Sequence, residues 1–289
     1  MKNFLFSLII AILFFNIAHA KSYKTGDIVV DEFIVTKKYK VDIPGEWKVI
    51  YRRSDSRYGF TYNFYALAKV KDNELLEYTG IMEYKLAGMF VGWVDGWMNE
   101  VVFKDKYDGC YQRPEYTLMK LFKKGKVHNC MILAHLDIEK ELHRPDDADS
   151  KWTSAMLRKW LKETNTTVPK IMLSFSGVYY APVVRDTYYA WTYAIDPEFF
   201  GANKNNFITE DTSEYHPSNI NNYPDKKQFM NDWIITAAKF HQLMEINLKA
   251  KKHHKLDFSE YNLEKITKIT SGSNLTEDIK ALKQLYDEG

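Results

Sequence analysis

Between Phe60 and Leu86 the chain keeps a strict two-residue rhythm that leaves few folding options. Phe60, Tyr62, Phe64, Ala66, Ala68 and Val70 occupy alternate positions, Asp72-Asn73 interrupts, and Leu76, Tyr78, Met82, Tyr84 and Leu86 resume the apolar set. Successive side chains of a strand point to opposite faces, so a hairpin turning at Asp72-Asn73 gathers both sets on one side. The reverse positions carry Lys69, Lys71, Glu77, Glu83 and Lys85. That pattern predicts a packed face and a solvated face on an antiparallel sheet.

The same rhythm recurs along the chain. It runs through Ile28 to Val35, Tyr39 to Ile43 and Trp47 to Tyr51, with Pro44-Gly45 as punctuation. Tyr116 to Phe122 and Val127 to Leu136 flank Lys124-Gly125, and a two-residue turn there sets Met119 opposite Cys130. In Lys170 to Tyr180 and Thr187 to Ile195, the residues Ile171, Leu173, Phe175 and Tyr179 match Tyr189, Trp191, Tyr193 and Ile195 as one large-residue face. The reverse face holds Ser174, Ser176, Ala190, Thr192 and Ala194, small enough to let a helix or ligand approach the backbone.

Helical spacing appears in three places before the C-terminal segment. Ser150 to Glu163 presents Trp152, Met156, Leu157, Trp160 and Leu161 as one stripe, with Asp149 or Ser150 as cap. Pro224 opens the longest helix, whose Phe229, Trp233, Ala237, Phe240, Met244 and Leu248 keep one face to about Lys252. Leu86 to Val101 also has helical spacing, although Gly88, Gly92 and Gly96 weaken it. Pro197 to Tyr223 shows no period and reads as a long surface loop. The expected fold class is α+β, a mainly antiparallel sheet covered by two or three helices, with a short C-terminal helix.

The first twenty residues set an expected address. Lys2 precedes an apolar run from Phe4 to Ile17, and Ala18-His19-Ala20 forms a small-x-small cleavage site. Cleavage after Ala20 gives a mature chain starting at Lys21, periplasmic or secreted; an uncleaved anchor is the alternative. The expected organisation is a signal peptide over 1–20, an α+β domain over 21–256, a linker over 257–273 and a terminal helix over 274–289. The two cysteines, Cys110 and Cys130, suit a disulfide in an oxidising compartment. A break at Arg113-Pro114 would fold the preceding segment back toward Cys130; the alternative is two buried thiols. Forty basic residues against thirty-eight acidic ones give no field that would select nucleic acid.

Candidate chemistry is sparse. His135, Asp137, Glu139 and His143 invite a metal reading, but strand and helix geometry gives no third converging ligand, so neither a metal nor a cofactor is expected. Ser174 and Ser176 precede Gly177 without forming a nucleophile elbow. The basic run Lys249 to Lys255 reads as cations terminating a helix, with contact to an anionic membrane surface as the alternative. Tyrosine offers an apolar face with a polar tip, so Tyr180 and Tyr188, beside Ser174, Ser176 and Thr192, form the expected ligand-binding surface.

The last sixteen residues, from Asn274 to Gly289, carry Leu275, Ile279, Leu282 and Leu285 as one narrow stripe, with Thr276 as cap and an Asp287-Glu288-Gly289 ending. This segment resembles the first helix and turn of the SHOCT domain, a short C-terminal helical hairpin of many bacterial proteins. The hairpin's second helix has no counterpart before the chain stops at Gly289. The resemblance implies an interaction or homo-oligomerisation role for the helix, not catalysis. The combined expectation is an exported, non-enzymatic protein that binds an envelope partner or small ligand. The rival is an exported hydrolase with a site assembled across the sheet from His135, Asp137 and Glu139 or His216.

Overall fold

Two four-stranded meanders, laid edge to edge, build the sheet of this protein. The computed structural model describes residues 23–36, 39–57, 60–86, 117–123, 127–143, 150–181, 187–206 and 212–249. The first meander comprises β1 (Ile28–Thr36), β2 (Tyr39–Arg57), β3 (Phe60–Lys71) and β4 (Glu74–Leu86). The second comprises β5 (Thr117–Lys123), β6 (Val127–Asp137), β7 (Ile171–Ala181) and β8 (Thr187–Ile195). Their order is β1-β2-β3-β4-β8-β7-β6-β5, an eight-stranded sheet in which every pairing is antiparallel. The β4–β8 pairing closes the seam between them.

Local chemistry fixes the turns. Asp72 and Asn73 both take positive φ, at 52° and 64°, which is the tight turn whose twist matches the flanking strands. Lys71 then faces Glu74, and Phe60 faces Leu86 at the far end. Pro44-Gly45 does not end a strand. The β1–β2 register jumps from Val30↔Glu46 to Asp31↔Ile43, so the two residues are absorbed as a bulge within β2. Asp31, held at φ 56°, accepts a hydrogen bond from the Gly45 amide at 2.7 Å.

Between β5 and β6 the register differs from expectation by one residue. Lys120, rather than Met119, stands opposite Cys130, because Lys123↔Val127 leaves three residues in the connection instead of two. One residue of slip moves every side chain to the other face.

Among the described residues three helices cover the sheet, in keeping with the α+β expectation. The helices α1 (Ile138–Leu142) and α2 (Ser150–Thr164) connect β6 to β7, and α3 (Pro224–Lys249) follows β8. On one face α3 packs its Met230, Trp233 and Ala237 against a core that includes Leu67, Ile81, Leu173, Phe175 and Tyr193. Trp233 stacks on Tyr193 with ring centroids 5.8 Å apart, and Phe240 lies 4.9 Å from Phe175. Tyr179 and the buried His241 join by a 2.9 Å hydrogen bond. Gly177 makes that bond accessible, since any Cβ there would collide with the Tyr179 ring and hydroxyl. On the other face α1 and α2 bury Ile138, Leu142, Trp160 and Leu161 against Ile50, Ala66, Leu75, Met172 and Ala194.

Two expectations change, the second in part. The face assigned to solvent is the α3 face, where Glu77 and Glu83 are 4% and 0% exposed. Alternation marks the more apolar side but cannot reveal that helices cover both sides. Within the stretch 197–223 most described residues are irregular and at least partly exposed, as expected of a surface loop, but Ser213, Glu214, Tyr215 and Ile220 are buried. Its organiser is Lys226 on α3, which donates to the carbonyls of Asn203 and Lys204, lies 3.8 Å from Glu214 and sits 5.5 Å above the Tyr215 ring. Leu86 ends β4, and the rest of the expected Leu86 to Val101 helix falls outside the described residues, as do the leader and the segment 257–289 with Leu275, Ile279, Leu282 and Leu285.

Candidate ligand-binding site

A cavity of about 160 Å³ lies between the sheet and the α1–α2 pair. Its aliphatic wall comes from Leu75 on β4, Leu136 on β6, Ile138 and Leu142 on α1, Leu157 on α2, and Met172 on β7. Polar groups enter from Tyr78, Glu141, Ser154 and Thr192. The space has a sequence origin. At this end of β7 and β8 the residues on the α1–α2 side include Ser174, Thr192 and Ala194, whose short side chains fill less of the space beneath the helices. Burial raises the Tyr78 hydroxyl well above the ordinary phenol value, with nearby Tyr62 as the lesser cause, so it stays neutral.

The expected binding residues occupy two places along β7 and β8. Thr192 lines the cavity, and its Oγ1 lies 3.0 Å from Ser176 Oγ on the adjacent strand. Ser174 is buried and donates to the Ala134 carbonyl at 3.4 Å. Tyr180 and Tyr188 are register partners nearer the opposite end of β7 and β8. They belong to a row not foreseen from the sequence. Tyr62, Tyr84, Tyr188, Tyr180, His128 and Phe122 occupy matched register positions on six neighbouring strands. At about 4.8 Å per strand such a row crosses most of the sheet. Alternation within each strand supplied the candidates; only the β4–β8 seam aligns them.

The other candidate groups serve separate structural roles. Asp137 caps α1, accepting from the Lys140 amide at 3.1 Å. His143 closes the same helix with Nδ1 2.9 Å from the Glu139 carbonyl. His135 is buried on the α3 face, its ring 5.8 Å from that of His216. Among the described residues no group of three or more His, Cys, Asp or Glu side chains is placed to hold a metal ion. No helix among them is long and apolar enough to cross a membrane.

Buried charge concentrates on the α3 face instead. Glu77 accepts from Lys69 Nζ at 2.9 Å and from the Tyr193 hydroxyl, while Lys69 sits 4.7 Å above the Trp47 ring. Burial first, and the Glu77 carboxylate second, push the Tyr193 hydroxyl well above the usual phenol range. At the end of β8, burial lifts the Asp196 carboxyl to about 6, against the opposing amide bond from Glu198. Cys130 is 1% exposed, and no described cysteine is free. Cys110 lies outside the described residues, so its bridge to Cys130 stands as a proposal.

The residues that sequence reasoning missed are the aliphatic cavity liners on α1 and α2. The available signal was the pairing of a strongly apolar helix stripe with a sheet face of small residues, since large against small leaves room. No protein family, curated protein or solved structure matches the chain.

Proposed function

We propose that this is an exported, non-enzymatic binding protein whose ligand seats between the sheet and the α1–α2 pair. The cavity carries the reading: it is concave, mainly aliphatic and edged by a few hydroxyls and one carboxylate, the composition that small-molecule sites favour. Thr192, one of the residues expected to contact ligand, lies in its wall. The leader-like first twenty residues support export, and the SHOCT-like terminal segment supports a further contact with an envelope partner or a second copy. Native mass spectrometry of the protein recovered from its own envelope fraction tests this. A retained low-mass ligand that is absent from a Leu157→Trp variant is expected; ligand retained equally by both proteins contradicts the cavity as its seat.

One observation favours the hydrolase reading. His216 Nδ1 lies 2.6 Å from Ser218 Oγ, in a turn where the Ser218 amide also donates to Nδ1 at 3.2 Å and Ser218 Oγ to Asn219 Oδ1 at 3.2 Å. Fluorophosphonate labelling that disappears in Ser218→Ala would support that reading, and an unlabelled protein would remove it.

A further inference from the structure

Lys226 is buried at the start of α3 with its amine against the segment that follows β8. We propose that Lys226 Nζ condenses with the Asn203 carboxamide, releasing ammonia and leaving an isopeptide crosslink between α3 and that segment.

A nucleophile, an acceptor and a shared carboxylate meet at one point. Lys226, 1% exposed, donates from Nζ to the backbone carbonyl of Asn203 and to that of Lys204 at 3.2 Å. The side chain of the same asparagine donates from Nδ2 to Asp225 Oδ2 at 2.8 Å. Lys226 Nζ lies 4.0 Å from that oxygen. One carboxylate atom therefore faces both the attacking and the leaving nitrogen. Glu214 Oε2 flanks the amine at 3.8 Å, and the Tyr215 ring lies 5.5 Å from it. Reactants held in this way gain effective molarities of about 10⁵ M or more, enough to make a sluggish amide exchange run within one chain.

The step balances without an oxidant, a reductant or a second substrate. Asp225 Oδ2 takes one proton from the Lys226 ammonium, and the freed lone pair attacks Asn203 Cγ. The tetrahedral carbon expels Nδ2 with the Asp225 proton as ammonia, which carries off one further Nζ proton as ammonium. One C–N bond forms and one breaks. Asn203 is exposed, so the ammonium leaves directly into water.

Asn206 is the competing acceptor, since its Nδ2 donates to Glu214 Oε1 at 3.3 Å. Asn203 is favoured because its carboxamide and Lys226 share a single oxygen, whereas Asn206 and Lys226 approach different oxygens of Glu214.

Intact mass of the reduced, denatured full chain, followed by tryptic mapping, tests the assignment. The expected chain is one ammonia lighter than its sequence, with a branched peptide joining Asn203 to Lys226 and no cleavage after Lys226. Asn203→Ala keeps the backbone carbonyl that holds Nζ, so it should fold, regain full mass and yield linear peptides. Asp225→Ala should leave most chains without the branch. Full mass with linear peptides in the wild-type chain overturns the proposal. So does ammonia loss confined to a linear peptide, which marks asparagine cyclisation, or a branch that starts from Asn206 or Glu214.

Discussion

Lys69 and Glu77 face each other across β3 and β4, Nζ 2.9 Å from Oε1, on the side of the sheet that α3 covers. Glu77 also accepts from Tyr193, so one carboxylate joins both meanders at their seam. Removing it strands a lysine and a buried phenol together. Glu77→Ala should cost about 3 kcal/mol in denaturant unfolding. Lys69 is 22% exposed and can rehydrate, so Lys69→Met should cost less than Glu77→Ala. Equal small losses, each below about 1 kcal/mol, would contradict a central role for this carboxylate.

Gly177 permits a close approach on the same face. Gly177→Ala should displace the Tyr179 ring, break its bond to His241 and destabilise the protein by about 2 kcal/mol. The His241 ring resonances should move with it. An alanine variant of unchanged stability and unchanged His241 shifts would mean that the tyrosine has another packing position.

The extent to which this fold was legible follows from what alternation measures. The Phe60 to Leu86 hairpin, its Asp72-Asn73 turn and the matched large faces of β7 and β8 were readable because each is a local pattern. The burial of Glu77 and Glu83 was not, because a charge paired under a helix looks in sequence like a charge in water. Lys226 carries no local signal of its role either: four methylenes let its ammonium reach the carbonyls of Asn203 and Lys204 and order a loop with no period of its own. At the ligand site Thr192 was legible as a small polar residue on the small face. The Leu142 and Leu157 walls were not, since the height of a helix above a sheet is set by distant clips such as Arg158 to Leu142.

Asp196 gives the molecule a pH signature. Its folded value of about 6 exceeds the ordinary 3.8, so the folded state favours the neutral carboxyl. Its stabilising contribution is complete below about pH 4 and is lost as pH rises through about 6. The difference between wild type and Asp196→Asn in unfolding free energy should therefore change by at most ~1.4 kcal/mol per pH unit across that window. Asparagine keeps an acceptor for the Glu198 amide, whose bond to Asp196 measures 2.9 Å. Parallel wild-type and variant curves from pH 4 to 7 would contradict the assignment.

The buried Cys130 makes a bridge to Cys110 testable by mass. The unreduced protein should weigh two hydrogen atoms less than the dithiol and lose about 3 kcal/mol of stability on reduction. Rapid alkylation of both thiols in the native, unreduced protein would show two free cysteines.

The expected interaction helix is checked by truncation. Removing residues 274–289 should lower the oligomeric mass measured by light scattering and leave the melting temperature of the sheet domain unchanged. An unchanged mass would deny Leu275, Ile279, Leu282 and Leu285 a role in self-association.

The central claim, a ligand seat between the sheet and the α1–α2 pair, is met most directly by methyl-labelled NMR during titration with 1-hexanol. Saturable shifts concentrated at the methyl groups of Leu142, Leu157, Met172 and Thr192, with those of Leu67 and Ile81 on the α3 face unmoved, are the predicted result. Shifts scattered over both faces, or none at saturating alcohol, would contradict it.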